Sequence, residues 1–451
     1  MSVEFRSAND IRSDFSNAMS LMYRAEVPAY GDLISIVEQI NKKTLNANHS
    51  ADLHLNLEED IDRISQERHG AIRLGTAKEL AMMARVFSVM GMVPVGYYDL
   101  SVAGIPVHST AFRPIKREDL AVNPFRVFTS LLRLELIEDE ALRERAQIAL
   151  DKRNIFSKKA IELTGQAETE GGLNDGDAKH FVSEVIETFR WHKDACIEHE
   201  VFLALKNSHA LIADVVSFKG PHINHLTPRT LDIDSAQSAM IEHGLPAKEI
   251  VEGPPPRKCP ILLRQTAFKA LEESVRFPKT GGEWVEGEHT ARFGEIEQRG
   301  AALTPKGRAL YDEILMGVNS SDPNYNQNLQ KAFEVFPDNW REMYDEELAY
   351  FKFSVGEKRK TSTIEKGASI GALLDAGILV LSPIIYEDFL PVSAAGIFQS
   401  NLGNDASEQS VAASSKQAFE TALGQSTADE FEHYKQIQKT SLDACLQEIS
   451  M

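Results

Sequence analysis

The stretch HGAIRLGTAKELAMMARVFSVMG, residues 69–91, changes its period part-way along. His69 to Leu74 alternate, so side chains two apart share one face of a strand. Thr76 then offers an N-cap with Glu79 three positions on, and the apolar residues that follow recur at helical steps until Gly91. This predicts a strand followed at once by a helix. After Gly91 come three strand-like runs bounded by Pro, Gly or Asn: VGYYDLSV (95–102), PVHSTAFRPI (106–115) and FRVFTSLLRLELI (125–137).

The same order returns later in the chain. ALIADVVSF (210–218) and GPHINHLTPR (220–229) read as strand or extended chain, and IDSAQSAMIEHG (233–244) as a helix ending at Gly244. ILLRQTAFKAL (261–271) and HTARFGEIEQRG (289–300) follow as strands. Between the two units lies charged, Ala-rich helix, interrupted by the loop GQAETEGGLNDGD (165–177). The expected organisation is N-terminal helices at 1–60, a first strand-helix-strands unit at 61–137 and a helical insertion at 138–207. A second unit follows at 208–305, and mostly helical chain at 306–451, with a polar tail (404–415) leading into a last amphipathic helix. An α+β fold follows, its sheet built from two repeated units with helices packed round it.

Bulk composition narrows the function. The 451 residues are 43% hydrophobic, enough for a large core, and the formal charge of -19 argues against a phosphate-backbone partner. Three cysteines without paired spacing suggest neither a disulfide framework nor a structural zinc cluster, and fit a reducing cytoplasm. The most apolar segment, GILVLSPIIY (377–386), is too short for the ~20 residues that a bilayer span needs. No membrane role is expected.

The chemistry rests on three positions. His69 lies on the first strand of unit one, sharing its face with Ala71 and Arg73. His225 shares its face with Ile223 and Thr227, while His222 falls on the other side, and Pro221 and Pro228 oppose a helix there. Glu295 lies on the last strand of unit two; by alternation Glu297 faces the same way, and strand pattern does not choose between them. Two imidazoles and one carboxylate on facing strands have the composition of a facial triad for non-haem Fe(II), with open positions for a chelating 2-oxo acid and O2. Each residue also has an ordinary reading: a strand-opening histidine satisfied in the core, a proline-bounded loop, a solvated edge strand. Arg73, four residues from His69 on the same face and ~13 Å along the strand, can pair with the far carboxylate of an extended diacid or serve a structural ion pair.

Four blocks together, ERHGAIRLGT (67–76), GPHINHLTPR (220–229), RFGEIEQRGAALTPKGR (292–308) and YEDFLPVSAAGIFQSNLG (386–403), resemble the 2-oxoadipate dioxygenase/decarboxylase family. The resemblance implies a vicinal-oxygen-chelate-like curved sheet, with Fe(II) held by His69, His225 and Glu295, and the EIEQRG strand is similar to the iron-ligand strand of 4-hydroxyphenylpyruvate dioxygenases and hydroxymandelate synthases. It favours Glu295 over Glu297 as the ligand, leaving Glu297 to pair with a base such as Arg299 or to orient a ligand. It also implies Arg73 on the distal carboxylate of 2-oxoadipate, and Val392 and Ser393 in the segment that closes the pocket. The implied reaction consumes 2-oxoadipate and O2 and yields 2-hydroxyglutarate and CO2, a step of bacterial lysine catabolism. Two competing readings are a glyoxalase-type isomerase or other oxygenase of the same fold, and a non-catalytic binder of small acids.

Overall fold

The computed structural model describes residues 4–47, 61–248, 250–268, 270–279, 281–319, 322–360, 367–390 and 406–450. Two helices, Ala8–Glu26 and Pro28–Ala47, open the chain, and Ser7 caps the first by accepting from the Asp10 amide. Next come β1 (Arg68–Leu74), a helix Ala77–Val89, and β2 (Val93–Asp99), β3 (Val107–Arg113) and β4 (Arg126–Leu132). The Thr76 hydroxyl accepts from the Glu79 amide at 3.2 Å, and Gly91, just past the helix, takes the left-handed φ of 67° that ends it.

The long sheet has the order β2-β3-β4-β1-β5, where β5 is Leu226–Pro228. β1 runs parallel to β4, with His69 opposite Arg126, and antiparallel to β5, with His69 opposite Thr227. Helix Ile233–Glu242 follows β5, and then β6 (Leu263–Ala267), β7 (Leu271–Pro278), β8 (Trp284–Arg292) and β9 (Glu295–Arg299). β9 pairs antiparallel with β6. A parallel bridge from Arg229 to Glu297, with the Thr230 amide donating to the Glu297 carbonyl at 2.7 Å, joins β9 to the end of β5. Strand, helix, strands is therefore the order twice over, but HTARFGEIEQRG holds two strands: β8 leaves to form a hairpin with β7, and only β9 returns to the site.

Several sequence expectations need correction. ALIADVVSF is not extended: Ala210–Ser217 is a helix, its first turn capped by the His209 ring, which accepts from the Leu211 amide at 3.1 Å. A short apolar run buried all round has no period to distinguish strand from helix. In GPHINHLTPR only Leu226–Pro228 forms a strand, with His225 just before it. The supposed loop from Gly165 is helical to Glu170, where Gly171 at φ 83° stops it. AYFKF and GILVLSP contribute an antiparallel pair, β10 (Phe351–Val355) and β11 (Leu379–Pro383), not more helix. The polar tail is helical from Ala406, within the helix Ala406–Leu423.

The two faces of the long sheet bury different partners. Ile72 and Leu74 of β1 pack with Phe87, Phe112 and the N-terminal helices in one core. Ala71 and Phe128 belong to a second core, with Phe389 and the helices Glu140–Asp151, His199–Ser208 and Ala210–Ser217. His69 and Arg73 share the face of Ala71, so the candidate site lies on this second side.

Candidate metal centre

His69 is fixed from three directions: by its strand, by β4 on one side and by β5 on the other. His225 is brought to it by close packing of the loop before β5 onto β1. A Cβ on Gly70 would stand 2.4 Å from Ile223 Cδ1 and 3.2 Å from the His225 carbonyl oxygen, so glycine lets the loop approach this closely with Ile223 in place, and the Asn224 amide donates to the Ala71 carbonyl at 3.0 Å. Glu295 begins β9 after a second such contact, where a Cβ on Gly294 would meet the Phe268 ring at 1.9 Å. The Phe293 amide donates to the Asn224 carbonyl, and the Tyr23 hydroxyl sits between the carbonyls of Asn224 (3.0 Å) and Phe293 (2.7 Å). One tyrosine from the first helix thereby ties the histidine loop to the glutamate strand.

The result is a buried group in which one ligand atom from each of His69, His225 and Glu295 lies within 4.8 Å of the other two. Glu295 Oε2 is 3.2 Å from His69 Nε2 and 3.5 Å from His225 Nε2, and accepts from the Thr227 hydroxyl at 2.9 Å. Phe389 and Phe293 wall the imidazoles, with ring centroids 4.9 Å from His69 and 4.8 Å from His225.

Electrostatics separates the two histidines. Burial pushes the His225 pKa down to about 4, against the pull of Glu295, so its ring is neutral near pH 7 and presents a lone pair. Burial acts on His69 in the same sense, but Glu297 and Glu295 outweigh it and raise its pKa. Burial opposes the charge of Glu295, yet His225, His69 and Thr227 hold its carboxyl below the usual range. A carboxylate facing a neutral imidazole, beside a second imidazole toward which two acids draw positive charge, is a set suited to a divalent cation that takes the place of the His69 proton.

Glu297 faces the same side as Glu295 and meets the other edge of His69, with Oε2 3.1 Å from Nδ1. A carboxylate this close to Nδ1 favours the proton on that nitrogen and leaves Nε2 for a metal, the usual way an acid behind a histidine sets its tautomer. Glu297 is in turn held by Arg299 Nε and Nη2 at 2.8 and 2.9 Å and by Arg126 at 3.4 Å. Burial opposes its ionisation, but Arg299 and His69 bring its pKa down to about 2. Behind it, Glu67 takes Arg126 at 2.9 Å and Arg229 at 3.0 Å, while Glu387 takes Arg126 and Arg63. The sequence reading anticipated the pairing of Glu297 with Arg299; it missed Arg126, Arg229 and Glu67, whose partners are remote in the chain.

Arg73 lies on the same face of β1, where its Nη1 donates to Asp214 Oδ2 at 2.8 Å, and its side chain stays one quarter exposed. His222 is turned away from the triad and meets Asp214 Oδ1 at 3.2 Å. Val392 and Ser393 lie outside the described residues. A cleft of about 300 Å³ runs behind β9, lined by Arg229, Arg264, Gln298, Pro255 and Trp340, and none of the triad residues lines it.

Residues 15–401 match the family model of 2-oxoadipate dioxygenase/decarboxylase. The chain belongs to that family. A 2-oxoadipate dioxygenase/decarboxylase of Pseudomonas putida is 53% identical, covering 99% of this chain and 98% of its own length, and one of Escherichia coli is 52% identical over 97% and 98%. Among solved structures, the hydroxyglutarate synthase of Pseudomonas putida in complex with 2-oxoadipate superposes with a TM-score of 0.90 at 52% identity, covering 99% of both chains. Among the described residues of this family member, no helix is long and apolar enough to cross a membrane.

Proposed function

We propose that the chain is an Fe(II)-dependent dioxygenase of the cytoplasm that converts 2-oxoadipate and O2 to (R)-2-hydroxyglutarate and CO2, in the degradation of lysine. The observation that carries this reading is the buried convergence of His69, His225 and Glu295 in a chain of this family. The pair of strand-helix-strands units is then a vicinal-oxygen-chelate arrangement, with the metal ligands where β1, β5 and β9 meet.

The reaction balances without a further reductant. The bond from C1 to C2 breaks and C1 leaves as CO2; C2 becomes a carboxylate with one oxygen of O2, and the other oxygen enters the C3–H bond as hydroxyl. Fe(II) would be held by His69, His225 and Glu295, and would supply there the chelation of a 2-oxo acid and the activation of O2. Thr227 steadies the Glu295 oxygen, and Glu297 keeps the His69 proton on Nδ1. Phe389 and Phe293 exclude water from the ligand set. Arg73 receives the distal carboxylate, whose fork-to-fork pairing favours a diacid, and Val392 and Ser393 join it in binding the substrate.

Oxygen uptake by metal-stripped protein reloaded with Fe(II), with products identified by mass, tests the reading. One 2-hydroxyglutarate and one CO2 per O2 are expected with 2-oxoadipate. Turnover of 2-oxo acids without oxygen uptake would replace it with an isomerase.

A further inference from the structure

The geometry points to Asp214, with His222 and His289, as the unit that positions Arg73 for the distal carboxylate of the substrate; this rests on the role given to Arg73 above. Asp214 is 5% exposed and comes from the helix Ala210–Ser217 that covers the site face of the sheet. Its two oxygens are divided between two tasks. Oδ1 accepts from His289 Nε2 at 2.8 Å and lies 3.2 Å from His222 Nε2, while Oδ2 accepts from Arg73 Nη1 at 2.8 Å. The Asn224 carboxamide oxygen, in the orientation that satisfies both its ends, also accepts from Arg73 Nη1, at 3.1 Å. Both contacts grip one nitrogen of the guanidinium, and the side chain keeps its one-quarter exposure. A second carboxylate can therefore meet the fork while the first holds it.

The histidines explain why this carboxylate does not simply neutralise Arg73. A bare buried carboxylate against a guanidinium forms a closed pair with little left for a ligand. Here two imidazole N–H groups draw on the Asp214 charge through Oδ1, so that Asp214 orients Arg73 while leaving more of its field for the incoming anion. The histidines are themselves fixed: Trp191 packs edge-on to His222 at 4.7 Å and parallel to His289 at 6.1 Å, with Arg292 4.7 Å over the indole. His222 comes from the same loop as His225, and His289 from the strand before Glu295, so the two segments that bring metal ligands also bring the Arg73 support.

The test compares 2-oxoadipate with 2-oxohexanoate, which lacks the distal carboxylate, in the Fe(II)-loaded full chain. Asp214→Asn is expected to raise KM for 2-oxoadipate about tenfold with kcat changed less than about threefold, and to leave 2-oxohexanoate kinetics nearly unaltered. In an Arg73→Gln background the same substitution is expected to add nothing, since it acts only through Arg73. Equal losses on both substrates, or a full further loss in the Arg73→Gln background, would overturn the positioning role. If Arg73→Gln itself leaves the preference for the diacid intact, the assignment of Arg73 is wrong instead. His289→Gln, which weakens the support without removing the carboxylate, should give a smaller shift of the same kind, and it carries the test should Asp214→Asn not fold: equal losses on both substrates in His289→Gln would overturn the proposal.

Discussion

Around Glu295 the rings of His69 and His225 bring their Nε2 atoms to a common point, and the carboxylate accepts one further hydroxyl, from Thr227, among the described residues. Around Asp214 the rings of His222 and His289 both bear on a single oxygen and Arg73 occupies the other. The composition is the same in both places, two imidazoles and a carboxylate, both buried. Only the first brings three ligand atoms within 4.8 Å of one another among the described residues. In the second the carboxylate is the hub and the histidines are donors to it, so the lone pairs do not converge. An arginine beside the carboxylate turns the cluster from a cation site to a support for a cation of its own.

The contrast breaks most directly on the carboxylates. Glu295→Ala should leave metal content near zero by elemental analysis and cut oxygen uptake by ~10³ or more, whereas Asp214→Asn should retain stoichiometric iron. Iron loss from Asp214→Asn with retention in Glu295→Ala would reverse the assignment of the two clusters. Glu297→Gln comes next: Fe(II) affinity should fall ~10–100-fold in a competition titration, with turnover still measurable. Its thermal midpoint should fall too, because Arg126 and Arg299 lose a buried partner. Thr227→Val removes the hydroxyl that donates to Glu295 and should weaken metal binding by about 1 kcal/mol, roughly fivefold in the same titration.

Acid pH offers the gentlest test, on the second cluster. Burial opposes the charge of Asp214, but His222, His289 and Arg73 hold its carboxyl well below the usual range. A pKa depressed on folding means stability that is present above the unfolded value of ~3.9 and is lost as pH falls below it. Denaturant midpoints measured from pH 6 down to pH 3 should therefore drop more steeply in the native chain than in Asp214→Asn; parallel curves would show that Asp214 gains nothing from its histidines.

The period change at residues 69–91 was readable because capping chemistry is local. Thr76, Glu79 and Gly91 lie within one turn of the ends they set. His69, Ala71 and Arg73 could be placed on one face for the same reason, since alternation needs only the strand itself. The helix Ala210–Ser217 was misread as extended because an apolar octet carries no period, and with it went the signal that Asp214 would lie over Arg73. The departure of β8 into its hairpin was equally hidden, for a run of strand residues does not say with which neighbour it pairs.

By itself, then, the sequence determined the α+β class, the faces on which His69, Arg73 and Glu295 stand, and, through four long blocks, the resemblance to a family. Tertiary structure alone decided that Glu295 meets both imidazoles while Glu297 backs His69, and that His222 serves Asp214 and not the metal site. The physical reason is distance along the chain: alternation assigns a face, but which of two residues on that face reaches a partner some two hundred positions away depends on strand register and on the close approach that Gly70 and Gly294 permit.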